Sequence, residues 1–332
     1  MSRLPRTART DGRRRGKPSL AEKVVTLTPN PALDLWLTTS SFRAGPKLRT
    51  SRPRSDPGGG GINVSRVIHR LGGETLALYA AGGRRGDEIE DGLKREGIDA
   101  ERCGIEGDTR EDISVCEEES GKVLRFVTPG PELQRHEVDR LLDMLERAAT
   151  GASLVVGSGS LPQGAGEDFW ARAATRGKRA GARFVLDSHD AIDAALETGV
   201  YCFRENRDAI SGIAGHDVGW PDETAAWAEK RVEAGAAEIV IVTEGDEGAL
   251  LVTRDVKLLQ RPPEVDPRSA IGAGDSFVAG LCLAWARQEG LEESLRAAVA
   301  TAAATLLTPG TELCRQQDAA RLLADMGELR RL

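Results

Sequence analysis

Six short apolar runs punctuate the first three quarters of the chain: VVTLT (24–28), TLALYA (75–80), SLVVG (153–157), RFVLD (183–187), VYCF (200–203) and EIVIVT (238–243). They show little polar alternation, the pattern of strands buried on both faces of a parallel sheet. Between them the apolar spacing becomes helical. In INVSRVIHRL, Val64, Val67, Ile68 and Leu71 fall at i, i+3, i+4 and i+7, one stripe on one face. EVDRLLDMLERAA (137–149), EDFWARAATRGKRA (167–180) and DETAAWAEKRVEAG (222–235) repeat that spacing, and the stretch from about 275 to 327 is mostly helical and rich in Ala and Leu. The alternation predicts a three-layer α/β/α domain over residues 23–330, built on a doubly wound, mostly parallel sheet.

Two stretches break the rhythm. Residues 35–55 (LWLTTSSFRAGPKLRTSRPRS) and 109–128 (TREDISVCEEESGKVLRFVT) alternate polar and apolar positions, and EESGK is a hairpin signal. They predict strand pairs forming a small β-sheet lid, either over the ligand edge of the main sheet or as plain edge decoration.

Composition narrows the class. With 332 residues, 40% hydrophobic and 29% charged, the chain suits one large α/β domain with an accessory piece. No apolar run approaches the roughly 20 residues that span a bilayer, so no membrane role is expected. Residues 1–22 are Arg-rich and lack the apolar core of a secretory signal; they read as a disordered basic tail. The net charge is −7 overall. The stretch through Lys23 holds eight basic and two acidic residues, +6, which leaves −13 on the remainder and argues against nucleic-acid binding. Five scattered cysteines without a C-x-x-C pair suit a reducing cytoplasm, and four dispersed histidines give no local metal motif.

The candidate chemistry gathers beyond the carboxyl ends of the strands, where open α/β sheets bind ligands. SAIGAGDSFVAG (269–280) places Gly272, Ala273 and Gly274 at a helix mouth, where unpaired amides and the helix dipole favour an anion. Asp275 follows at once, placed to act as a base beside a phosphoryl group in transit. Read alone, the same residues also suit a tight turn with a stabilising acid. TPNPALD puts Asp34 just past the strand 24–28, where a carboxylate can accept from sugar hydroxyls. DPGGGGINVSR (56–66) sets four glycines ahead of a helix with Asn63 in its first turn, and GSGSLPQG offers Ser158 and Ser160.

TPNPALD, PGGGGINVSRVIHRLGG, RFVTPGPEL, GSGSLPQG, VTEGDEGALL, SAIGAGDSF and LLTPGTELC occur in the order and spacing of the ribokinase-like (PfkB) carbohydrate kinases. The chain resembles that family over nearly its whole length, and within it the minor, ribokinase-type 6-phosphofructokinases. Gly60 stands where 1-phosphofructokinases and tagatose-6-phosphate kinases usually carry a lysine, and GPKLR resembles the Gly-Lys-Leu-Arg of the 6-phosphofructokinases. The resemblance implies an ATP- and Mg²⁺-dependent phosphotransferase of glycolysis, converting fructose 6-phosphate to fructose 1,6-bisphosphate. Asp275 would be the base and Gly272, Ala273 and Gly274 the anion hole. Asp34, Gly59, Gly60, Asn63 and Ser160 would face the sugar, and Lys47 and Arg110 would hold its phosphate. Arg204, Asn206, Thr243, Gly245 and Gly248 would line the ATP site. Carbonyls of Ser269 and Ile271 would bind a monovalent cation such as K⁺, and the lid would pair two subunits in a homodimer.

One motif departs from the resemblance. Relatives carry Lys-Pro-Asn with a metal-organising glutamate three residues on, whereas FRENRDAI has Arg204-Glu205-Asn206 and Ala209. Asp208 lies one residue earlier, about 100° round a helix. A catalytically weakened sugar-phosphate-binding homologue is therefore the alternative of a different class. Action on tagatose 6-phosphate or fructose 1-phosphate is the alternative within the kinases. A nucleoside kinase ranks below both, since an uncharged nucleoside needs no cations in the lid. His189, in DSHD (187–190), reads as a surface loop residue.

Overall fold

The computed structural model describes residues 23–45 and 47–332; the expected basic tail over 1–22 lies outside the described residues. In chain order the elements are β1 (Val24–Thr28), β2 (Ala32–Thr39), β3 (Arg54–Gly58), α1 (Gly60–Arg70), β4 (Thr75–Ala81), α2 (Gly83–Glu96), β5 (Ala100–Gly104), β6 (Arg110–Glu117), β7 (Val123–Val127), α3 (Arg135–Ala149), β8 (Leu154–Ser158) and α4 (Phe169–Arg179). There follow β9 (Arg183–Asp187), α5 (Asp193–Thr198), β10 (Val200–Asn206), α6 (Arg207–Ala214), α7 (Asp222–Glu233), β11 (Ala237–Glu244), β12 (Gly248–Val252), β13 (Lys257–Gln260), α8 (Ala273–Ala286), α9 (Leu291–Leu306), α10 (Gln316–Ala324) and β14 (Arg330–Arg331).

Ten strands form the central sheet in the order β14-β13-β12-β11-β10-β9-β8-β1-β4-β5. From β11 to β5 every neighbour pair is parallel. All six apolar runs of the sequence are strands of this parallel part. Their side chains alternate between two cores: Val25 and Leu27 pack beneath α3 and α4 on one face, while Val24 meets α1 and α8 on the other. Val64, Val67 and Ile68 on the predicted stripe of α1 are fully buried. The three-layer, doubly wound expectation holds. What the apolar runs did not reveal is the antiparallel edge, where β12, β13 and β14 extend the sheet beyond β11.

A second sheet of four strands, in the order β3-β2-β6-β7, stands over one end of the first. The hairpin at EESGK joins β6 to β7. The 35–55 stretch is not a tight strand pair: β2 begins at Ala32, β3 begins only at Arg54, and the intervening residues are irregular except for a bridge between Thr39 and Thr50. Asp34 is therefore not on a loop past β1. It lies within β2, opposite Asp56 of β3 and Asp112 of β6, because β2 starts only four residues after β1 ends. A small core of Leu33, Ile62, Tyr79, Ile89, Leu93 and Ile98 fixes this sheet against α1 and α2.

Candidate functional site

Four consecutive parallel strands end in one line of polar contacts. Ser158 closes β8 and donates through Oγ to Asp187 Oδ2 at 2.8 Å, at the end of β9. Arg204 of β10 donates from Nη1 to Asp187 Oδ1 at 2.9 Å and from Nη2 to Thr243 Oγ1 of β11 at 2.7 Å. Parallel strands present their carboxyl ends together, which is why residues so far apart in sequence meet.

α8 opens above this line. Its N-cap, Gly272, has φ 77°, a left-handed conformation for which glycine carries no steric penalty, and a Cβ there would lie 2.5 Å from Leu313. Ala273 N donates to Ala270 O at 3.3 Å, so this amide of the expected anion hole already has a partner. No backbone acceptor serves Gly272, Gly274 or Asp275 among the described residues. Relative to the expected set, the Ala273 amide drops out and that of Asp275 joins Gly272 and Gly274.

The Asp275 carboxylate is partly exposed and accepts from Asn63 Nδ2 at 2.8 Å. This bond joins the glycine loop to the helix mouth, across 212 positions of sequence. Burial, and then the negative charge of Asp187, push the Asp275 carboxyl up to about 6, while the Asn63 bond and the Arg204 charge pull the other way. A carboxylate so tuned is ionised at neutral pH yet accepts a proton more readily than an ordinary aspartate.

The glycine loop is shaped by close approach. Gly59 has φ 112°, and a Cβ there would stand 2.7 Å from Thr28 Cγ2. Gly60 begins α1 rather than preceding it, and any side chain at 60 would start 2.2 Å from Ser158 Oγ. Asn63 is held in turn by Arg66, which is buried, donates to Asn63 Oδ1 at 3.4 Å and Pro57 O at 2.9 Å, and pairs with Glu96.

In the lid, Asp34 is buried with no hydrogen-bond partner among the described residues, and burial followed by the charge of Asp112 raises its carboxyl to about 7. Arg110 pairs with Asp112 at 2.6 Å and also reaches Asn30 O at 3.3 Å. Ser160 Oγ accepts from Asn30 Nδ2 at 3.1 Å. Lys47 is exposed on the irregular excursion and makes no ion pair among the described residues, so nothing in the chain's own contacts brings it to the others. Sequence reasoning passed over Arg125, on β7. It lies 3.8 Å from Asp112, and its charge lowers the pKa of both Asp34 and Asp275. Its signal was present in the quoted RFVTPGPEL, and that of Asp187 in DSHD. His189 is 64% exposed, as a surface residue should be.

On the other side of α8 a cavity of about 700 Å³ opens between the β11–β12 turn and α9. Arg204, Thr243, Gly245 and Gly248 line its polar end, and Val299 and Ala302 belong to its apolar wall. Gly248 has φ 104°, and a Cβ there would sit 2.1 Å from Gln260 O, so the turn is fixed by backbone contact. Asn206 does not point freely into this cavity: its Oδ1 caps α6 by accepting from Ala209 N at 2.9 Å, and its Nδ2 donates to Glu205 at 3.0 Å. Ser269 Oγ donates to Gly310 O at 2.9 Å and accepts from Ile271 N at 3.2 Å, which pins the loop ahead of α8.

An apolar nucleotide-sized slot, an amide-rich helix mouth with an adjacent carboxylate, and a lidded polar pocket together define a phosphotransferase acting on a hydroxyl group. The pfkB family carbohydrate kinase model matches residues 29–318, and the chain belongs to that family. It is 37% identical over 306 residues to the ATP-dependent 6-phosphofructokinase isozyme 2 of Mycobacterium tuberculosis, covering 92% of this chain and 89% of the relative. The crystal structure of phosphofructokinase-2 from Escherichia coli with substrates and products superimposes with a TM-score of 0.87 at 34% identity, covering 92% of this chain and 99% of the other. That E. coli enzyme has also been solved with fructose 6-phosphate, with potassium, and in a tetrameric inhibited form. A 1-phosphofructokinase of Xanthomonas campestris is 33% identical over 267 residues, covering 79% of this chain and 84% of the relative. ATP and a divalent metal are used generally in this family of kinases.

Proposed function

We propose that the protein is an ATP-dependent 6-phosphofructokinase of the cytoplasm, with Mg²⁺ on the nucleotide. The observation that carries the reading is the Asn63–Asp275 bond, which ties the sugar-side glycine loop to the carboxylate at the helix mouth. Asp275 takes the proton of the sugar C1 hydroxyl while that oxygen forms its bond to the γ-phosphorus; the bond from phosphorus to the β,γ-bridging oxygen breaks, and ADP leaves with those electrons. The free amides at Gly272, Gly274 and Asp275 face the charge that gathers on the transferring group. Asp34, with neither oxygen engaged, accepts from sugar hydroxyls beside Gly59, Gly60 and Ser160. Arg110 and Lys47 hold the 6-phosphate, and Arg125 adds a third positive charge. That concentration of cations supports a phosphorylated sugar over a nucleoside.

The described residues hold no group of three His, Cys, Asp or Glu side chains arranged for a metal. Magnesium carried on substrate phosphates needs only one or two protein carboxylates. Asp187 and the buried Glu205 stand at the correct strand ends, and burial raises the Glu205 carboxyl. These residues fit such a metal, which would supply charge neutralisation to the phosphates. A K⁺ held by Ser269 and Ile271 carbonyls belongs to the same proposal.

The lid supports a homodimer. β7 is an edge strand with Val123, Leu124, Phe126 and Val127 between 36% and 62% exposed, a row of apolar side chains that monomers cover. No described helix is long and apolar enough to cross a membrane. Coupled measurement of ADP release with fructose 6-phosphate, fructose 1-phosphate and tagatose 6-phosphate tests the substrate. Fastest turnover of either of the last two reassigns it, and sugar-phosphate binding without turnover of any would favour the weakened homologue suggested by Ala209. Sedimentation of Phe126→Asp tests the dimer, which should dissociate.

A further inference from the structure

We infer that Asp56 is a positioning residue that fastens the lid to both supports of the Asp275 carboxylate, so that the seating of β3 sets where that carboxylate stands. For its catalytic consequence the inference rests on the kinase reading. Asp56 is buried on β3, directly opposite Asp34, and β3 runs straight on into the glycine loop. Its Oδ1 accepts from Arg54 Nη2 at 3.1 Å and faces Arg66 Nη2 at 3.5 Å. Its Oδ2 pairs with Arg54 Nε at 2.9 Å and accepts from Thr311 Oγ1 at 2.6 Å. A carboxylate offers about four acceptor sites, and here a donor stands at each. Unlike Asp34, this acid has little left for a substrate, so its use lies in what it holds.

Two routes lead from Asp56 to Asp275. The first runs through Arg66, whose Nη1 donates to Pro57 O of β3 at 2.9 Å and to Asn63 Oδ1 at 3.4 Å. Glu96 grips the Nε edge of the same guanidinium, so the fork is fixed in its plane and orients Asn63 towards Asp275. The second runs through Thr311, in the loop 308–314 that lies between the lid and α8. A Cβ at Gly310 would stand 2.5 Å from the Trp36 ring of β2, so this loop packs directly on the lid. On its other side Gly310 O accepts from Ser269 Oγ at 2.9 Å, and Leu313 packs against Gly272, the N-cap of α8. One carboxylate thus ties a lid strand to the side chain that bonds Asp275 and to the turn that carries it. A misplacement of about 1 Å in a reacting group can cost about 10²-fold in rate, so a fastening here bears on kcat rather than on binding.

Two substitutions loosen the fastening without emptying the site. Thr311→Val keeps the shape and removes the hydroxyl. Asp56→Asn keeps the size, but each oxygen of Asp56 faces an arginine donor, so whichever way the amide turned its NH₂ would meet one. Hydrogen exchange of the full chain without ligand reads the two supports directly. Ser276 N donates to Gly272 O and Asn63 N to Gly59 O, each at 2.9 Å, closing the first turns of α8 and α1. The Ser276 amide should exchange about tenfold or more faster in both variants, and the Asn63 amide in Asp56→Asn. Amides of α4, on the opposite face of the sheet from α8, should not change. In coupled assays with fructose 6-phosphate, kcat should fall about tenfold or more while KM for either substrate stays within about threefold. The double variant should lose little more than Asp56→Asn alone, because both changes cut one contact. Unchanged exchange at Ser276 would overturn the inference. So would faster exchange throughout, which a merely structural acid would give, or a raised sugar KM with kcat intact, which a sugar contact would give. Should fructose 6-phosphate, fructose 1-phosphate and tagatose 6-phosphate all fail to turn over, the kinase reading falls alone, and the exchange result still decides whether Asp56 holds the supports.

Discussion

Asp34 is a carboxylate the folded chain keeps at its own expense. It is 6% exposed, without a hydrogen bond among the described residues, and its pKa rises from 3.8 to about 7. A raised acid pKa means that the native state binds the proton more tightly than the unfolded state does. The group therefore costs nothing below 3.8, costs more as pH rises, and reaches its full penalty above about 7. At about 1.4 kcal/mol per pH unit, that penalty is at most about 4 kcal/mol near pH 8 and about 1.5 kcal/mol near pH 5. Asp34→Asn keeps the shape and removes the charge. The unliganded variant should be more stable than the wild type in urea unfolding near pH 8, by up to about 4 kcal/mol, and the advantage should shrink by about 2–3 kcal/mol near pH 5. Sugar affinity should move the other way, falling about 10- to 100-fold, because a charge-assisted acceptor for hydroxyls is worth roughly 1.5–3 kcal/mol. A variant less stable than wild type at pH 8, or a gain that does not change with pH, would refute the reasoning: Asp34 would then be held by partners rather than kept ready for a ligand.

Asp275→Asn should bind both substrates almost normally and lose about 10²- to 10⁴-fold in kcat, measured by coupled ADP release. In the wild type, kcat/KM for the sugar phosphate should fall as pH drops through the range of about 7 to about 6 set by Asp34 and Asp275, since both must be ionised in the free enzyme. Asn63→Ala removes a bond that lowers the Asp275 pKa, so the acid limb of that profile should move to higher pH; a stationary limb would place the titration elsewhere. Lys47→Ala and Arg110→Ala should raise KM for the sugar phosphate far more than KM for ATP, and equal effects on both would remove these residues from the sugar side.

The parallel sheet was legible because each of its central strands is apolar on both faces, and the helices because their stripes face a core. The antiparallel edge was not, since GALLV in β12 and KLLQ in β13 are short and follow β11 without an α-helix between them. Asp34 was placed on a loop past β1 and lies instead within β2: a sequence shows that an acid follows a strand, but not that the chain turns within four residues into a second sheet. The Ala273 amide was assigned to the anion hole because glycine content marks a helix mouth, whereas the backbone bond to Ala270 depends on the turn ahead of it. Arg125 escaped attention because its neighbours on β7 are exposed apolar residues, and only the β6–β7 pairing, which puts it opposite Ser114 and near Asp112, turns it towards the pocket.

The same geometry explains why the two halves of the site need not be adjacent in sequence to act together. Ser158, Asp187, Arg204 and Thr243 form an unbroken hydrogen-bonded line across the ends of β8, β9, β10 and β11. At one end Ser158 sits under Gly60 so closely that no side chain fits at 60, and at the other Thr243 opens on the cavity beside α8. Asp187, in the middle, is the charge that most raises the pKa of Asp275 after burial itself. Moving any member of the line disturbs its hydrogen-bonded neighbour, because closely packed interiors transmit strain. On the proposed reading, one row of four side chains would link sugar contact, base strength and nucleotide grip, so a substitution that harms one should be felt in the other two.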